Sequence, residues 1–138
     1  MINIIMCGHG QLAIAMKESI AMIYGDVENI IAIDFNKGEN RETLVQKMSE
    51  VINFDAETLI VVDLFGGSPY NAAAEIAFNA PNIEMICGMS LPLCLEMIDN
   101  IANMSLSEMT NYLVQVGKHC VQKFNKTVIQ NEEEEDFI

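Results

Sequence analysis

The chain has 138 residues, 51% of them hydrophobic and 20% charged, which suits one folded domain and excludes disordered and fibrous classes. Twenty acidic against seven basic side chains give a net charge of −13, which argues against nucleic acid and anionic membranes and favours a partner with a basic face. Every apolar stretch is broken before the ~18 residues of a membrane helix, and no basic segment precedes the first apolar run, so a cytoplasmic chain without a signal peptide is expected.

In chain order, "INIIMC" (2–7) reads as a strand and is followed by a helical stripe of Leu12, Met16 and Ile20. "NIIAIDF" (29–35) is the second strand-like run, and Leu44, Met48, Val51 and Ile52 make the next helical stripe. "TLIVVD" (58–63) precedes "FGGSP" and an Ala-rich helix that Pro81 ends. "IEMICG" (83–88) is a fourth strand, and a helix over 91–101 carries Pro92 in its first turn. Ser105 and Glu108 match a capping box that opens a longer helix, with the stripe Leu106, Met109, Leu113, Val116, Cys120 and Phe124. "KTVIQ" (126–130) reads as a short C-terminal edge strand, antiparallel to the rest. The acidic "NEEEEDFI" (131–138) holds too little apolar surface to order itself. These bounds give one domain over 1–130 and a disordered tail over 131–138.

Short strands that are apolar on both faces and alternate with helices predict an α/β fold, doubly wound, with a mainly parallel sheet. In the common strand order 2-1-3-4, ligands collect where the connections diverge, outside the carboxyl ends of strands 1 and 3. The loops at that point are "GHG" (8–10) and the segment from Asp63 through "FGGSP". His9 and Asp63 therefore fall on opposite lips of one crevice.

An imidazole near neutral pH presents an unprotonated ring nitrogen as a nucleophile. A carboxylate on its other nitrogen fixes the tautomer and stabilises the imidazolium, which is the part expected of Asp63. Ser68 reads as an N-cap and Pro69 as the first helical residue, while Gly66 and Gly67 let backbone N–H groups approach an anion at the dipole's positive end. Together these residues point to phosphoryl transfer through a phosphohistidine. Each part also has an ordinary alternative: a polar loop histidine, a carboxylate capping a loop amide, and a turn that merely starts a helix. His119, near the apolar stripe of the last helix and beside Lys118, reads as a partly exposed helical residue. Cys7, Cys87, Cys94 and Cys120 show no metal spacing and read as reduced, mostly buried thiols, so neither metal nor cofactor is expected.

"MINIIMCGHGQLA", the "GEN" of 38–40 and "VVDLFGGSPYNAA" resemble enzyme IIA (EIIA) of the mannose family of the bacterial phosphoenolpyruvate:sugar phosphotransferase system. The likeness runs from Met1 to about Asn125, and the D-x-x-GGSP-x-NAA block is its most specific part. The resemblance implies that His9 accepts a phosphoryl group from the small carrier HPr and passes it to enzyme IIB, with membrane subunits involved only indirectly. It also implies that Asp63 bonds the His9 ring, that Ser68 and its neighbouring amides contact the phosphoryl group, and that the chain forms a homodimer. In some members the dimer exchanges a C-terminal strand, for which "KTVIQ" is the candidate. One position departs from the family, where Gly8 stands in place of the common Ser or Thr. The phosphotransfer subunit of dihydroxyacetone kinase is the nearest rival, and "FGGSP" argues against it. A non-catalytic signalling or flavin-binding module on the same scaffold is a second rival. The Cys-Gly-His end of strand 1 suits neither a receiver's acidic metal site nor a flavodoxin's Ser/Thr-rich loop.

Overall fold

The computed structural model describes residues 1–127. Four strands, β1 (Asn3–Cys7), β2 (Ile30–Ile33), β3 (Thr58–Val62) and β4 (Ile83–Cys87), form one parallel sheet in the order β2-β1-β3-β4. Five helices accompany them: α1 (Leu12–Tyr24), α2 (Arg41–Val51), α3 (Ser68–Phe78), α4 (Leu91–Asn100) and α5 (Leu106–Gly117). The expected α/β fold and strand order are those observed.

The sheet is buried on both faces because alternate side chains of each strand point to opposite sides. Ile4 and Met6 of β1 and Leu59 and Val61 of β3 pack with α1, α4 and α5 through Ile20, Met97, Met109 and Leu113. Ile5, Cys7, Ile60 and Val62 face the other way, onto Leu44 and Met48 of α2 and Ala72, Ala73 and Ile76 of α3. The small Ala72 and Ala73 let α3 lie close to the sheet, which brings the helix's first turn up to the strand ends.

Helix starts follow their local chemistry. Asn40 caps α2 by accepting from the Thr43 N–H at 3.0 Å, and the Thr43 hydroxyl accepts from the Asn40 N–H in return. Ser105 and Glu108 form the expected capping box on α5. Helix α5 ends at Gly117 instead of running on to Phe124. The chain there tightens into i to i+3 hydrogen bonds from Lys118, His119 and Cys120, so His119 lies in an exposed turn beyond the helix. Two members of the expected stripes, Leu12 and Val51, are 41% and 40% exposed. Ala13, one position on, takes the buried place instead of Leu12. Of "KTVIQ", Lys126 and Thr127 are helical and not extended as the sequence suggested, and the stretch from Val128 onward, like the whole acidic tail, lies outside the described residues.

Candidate active site

Register brings the two central loops together. Cys7 pairs with Val62 at the carboxyl ends of β1 and β3, so His9 and Asp63 leave adjacent strands within two residues of that pair. Asp63 Oδ2 accepts from the His9 backbone N–H at 2.9 Å and lies 2.7 Å from His9 Nδ1. Its other oxygen, Oδ1, accepts from the Leu64 N–H at 3.0 Å. The carboxylate thus contacts the ring and also caps a loop amide, the ordinary alternative for this residue.

Asp63's side chain is only 8% exposed, whereas the His9 ring is 49% exposed. Burial on its own would raise the Asp63 pKa, but the hydrogen bonds from the His9 backbone and ring, reinforced by the ring's charge and the Leu64 N–H, hold it below the ordinary carboxylate value. In the neutral ring, an ionised acceptor at Oδ2 calls for the proton on Nδ1, which leaves Nε2 with its lone pair. Cys7, the other nucleophile nearby, is inert: burial, with the Asp63 charge adding to it, pushes its thiol up to about 12.

The free nitrogen sits over the start of α3. A Cβ built on Gly67 would lie 3.1 Å from His9 Cε1, 3.7 Å from Nε2 and 3.3 Å from Leu64 Cδ1. Any larger residue there would require the ring to give by a few tenths of an ångström. Gly66 turns the chain at φ +83°, a conformation that side chains rarely adopt. The N-cap of α3 is Gly67 and not Ser68, which is the first helical residue and makes no capping hydrogen bond. The first helical bond runs from the Asn71 N–H to the Gly67 carbonyl at 2.9 Å, so the Ser68 and Tyr70 N–H groups precede the ladder and face outward with the dipole. Pro69 contributes no donor. Gly66, Gly67 and Ser68 lie at the turn into α3, with Gly67 against the His9 ring and the cap displaced by one residue from Ser68.

A Cβ built on Gly8 would lie 3.2 Å from Leu12 Cδ2 and 3.3 Å from both Leu12 Cβ and Asp63 Cβ. A side chain there would require Leu12 or Asp63 to give by a few tenths of an ångström.

The second lip holds residues the sequence did not single out. Phe35 stands edge-to-face with His9, the ring centroids 5.4 Å apart at 75°. Gly10 and Phe35 exchange backbone hydrogen bonds of 2.8 and 3.2 Å. Behind them, Lys47 Nζ bonds Asp34 Oδ1 and Glu39 Oε1, each at 2.8 Å. Those bonds to Lys47 lower the pKa of both carboxylates. Lys47 is thereby committed to bracing the loop and not to holding an anion. Leu64 and Phe65, in the loop that follows Asp63, stand 48% and 74% exposed, and Phe65 packs on Tyr70 with ring centroids 4.7 Å apart.

Fold and site together define an α/β protein with a carboxylate-oriented histidine at the switch point of its sheet, facing a helix N-terminus. Residues 3–114 match the family model described as PTS system fructose IIA component, of the mannose-type EIIA group. The chain is 37% identical over 137 residues to the sorbose-specific EIIA component of Lacticaseibacillus casei, covering 98% of this chain and 99% of that one. It is 41% identical over 122 residues to the sorbose-specific EIIA component of Klebsiella pneumoniae, covering 87% and 90%. The crystal structure of a phosphotransferase system EIIA component from Streptococcus agalactiae superposes with a TM-score of 0.83 at 23% identity, over 90% of this chain and 98% of that one. This chain belongs to the mannose-family EIIA components of the phosphotransferase system. It is a phosphotransferase component of that sugar-transport machinery.

Proposed function

We propose that His9 carries a phosphoryl group at Nε2, taking it from the phosphohistidine of HPr and giving it to a histidine of a separate enzyme IIB. The observation that carries this reading is the 2.7 Å contact of Nδ1 with Asp63, which leaves Nε2 as the nucleophile over Gly67. The Nε2 lone pair forms the new N–P bond as the donor's N–P bond breaks, and the bonding electrons return to the donor imidazole. The Nδ1 proton stays in place, so the phosphorylated ring is cationic and faces the Asp63 carboxylate. Ser68 and the outward N–H groups at the start of α3 hold the phosphoryl oxygens. Passage to enzyme IIB is the same step in the other direction.

Leu12, Leu64 and Phe65 form the apolar face on which the partners seat, which suits a phosphoryl group delivered by a protein. Among the described residues, no helix is long and apolar enough to cross a membrane. A carrier exchanging with HPr and enzyme IIB works in the cytoplasm, and membrane subunits are reached only through enzyme IIB.

The same reading makes the chain a homodimer. β4 ends the sheet, and beside it lies an apolar groove of about 620 Å³ lined by Phe65, Tyr70, Met85, Leu113 and Val114. The "KTVIQ" segment of a second copy fits an open strand edge of this kind. Sedimentation equilibrium should give a dimer for the full chain and a monomer after truncation at Asn125. A dimer that survives truncation excludes the segment as the link.

The carrier reading itself is tested by incubating the chain with phosphoenolpyruvate, enzyme I and HPr, followed by intact-mass measurement. One acid-labile phosphoryl group that depends on HPr is expected. Unchanged mass with active carriers refutes it.

A further inference from the structure

Asp63 is not the only neighbour of the His9 ring. Its Oδ2 is shared between the ring and the His9 backbone N–H, so the carboxylate stays anchored even when the imidazole swings away. The ring is half exposed and rotates about two side-chain torsions. The ring's aromatic neighbour is Phe35, just beyond the end of β2. The Gly10–Phe35 backbone bridge fixes where that residue stands relative to His9. Gly10 makes that bridge at φ +60°. Leu64 and Gly67 bound the space by Nε2, with the Gly67 Cβ position 3.1 Å from the ring.

We propose that Phe35 is a positioning residue, its edge-to-face contact with His9 keeping Nδ1 on Asp63 and Nε2 directed at the start of α3. The role rests on the phosphoryl-carrier reading for its kinetic consequence, though the ring's orientation is measurable without transfer. Aromatic pairs of this geometry add enough beyond burial to change a population or a rate about two- to tenfold.

The experiment compares wild type, Phe35→Leu and Phe35→Tyr by long-range ¹H–¹⁵N spectra of His9 and by HPr-dependent phosphorylation kinetics. Phe35→Leu keeps bulk and the backbone bridge while removing the ring. Its His9 signals should move from a single Nδ1-protonated form towards averaged tautomers. Its maximal phosphorylation rate should fall about two- to tenfold at an unchanged KM for phospho-HPr, and Phe35→Tyr should restore both. Wild-type spectra and rate in Phe35→Leu overturn the proposal. So do equal losses in the Leu and Tyr variants that track a lowered Tm, which mark a merely structural residue. If Phe35→Leu does not fold, Phe35→Met carries the same comparison. Wild type that accepts no phosphoryl group overturns the carrier reading, and the spectra then decide on Phe35.

Discussion

Replacing Asp63 with Asn changes one atom type and removes one charge. The aspartate uses both oxygens as acceptors, Oδ2 for the His9 backbone and ring and Oδ1 for Leu64. Asparagine has a single carbonyl oxygen, so one of those sites must receive an NH₂ group instead. With the oxygen towards His9, the Leu64 N–H loses its acceptor. With the oxygen towards Leu64, the NH₂ faces the His9 N–H and drives the ring to the tautomer whose proton blocks Nε2. Charge-assisted hydrogen bonds contribute about 1.5–3 kcal/mol, which slows transfer roughly ten- to a hundredfold if expressed fully in the transition state. Because the imidazole is half exposed, solvent screening puts the expectation at the tenfold end. Rapid-quench phosphorylation by phospho-HPr measures the rate, and circular dichroism confirms that the fold is kept. Wild-type transfer by Asp63→Asn would refute the orienting role. The same carboxylate predicts a pH signature. Its folded pKa is depressed, so the stabilisation is complete above the ordinary carboxylate value of ~3.9 and is lost as pH falls through the lower folded value. The stability advantage of wild type over Asp63→Asn should therefore shrink on acidification below about pH 4. A gap that stays constant there excludes a depressed pKa.

Gly67→Ala should push the His9 ring from its place, because its new methyl would sit 3.1 Å from Cε1. Transfer should slow at least about tenfold while circular dichroism stays that of wild type, and an undisturbed rate would show that the ring does not work from this position. Ser68→Ala should lose less in phosphorylation rate than Asp63→Asn, since backbone N–H groups remain to hold the phosphoryl oxygens; the reverse order would exchange the two assignments. Truncation after Gln130 removes five acidic residues of the tail and should leave Tm and HPr-dependent labelling nearly unchanged. A large fall in either would show that the tail completes an interface.

The fold was legible because buried parallel strands leave a plain mark: short runs such as "TLIVVD" with no polar face. Once the strand order was inferred, the switch point brought His9 and Asp63 together on topology alone. Local reasoning failed where a residue's role depends on a neighbour distant in sequence. Phe35 reads as one more strand aromatic until the bridge to Gly10 is seen. Leu12 fits a helical stripe by spacing, yet it covers Gly8 at the crevice lip. Gly67 reads as room for backbone N–H groups to approach an anion, and only the structure shows the imidazole lying against it. Gly117 interrupts a stripe that Cys120 and Phe124 continue by spacing, and the weak helix preference of glycine is the signal that was available there.

The central claim is that Asp63 reserves Nδ1 and leaves Nε2 of His9 to carry the phosphoryl group. Long-range ¹H–¹⁵N and ³¹P spectra of the ¹⁵N-histidine-labelled chain, taken after phosphorylation through HPr, test it most directly. Phosphorus coupled to Nε2 of His9, with Nδ1 still protonated and the His119 signals unshifted, is the expected result. Phosphorus on Nδ1 of His9, or on any other residue, would contradict it.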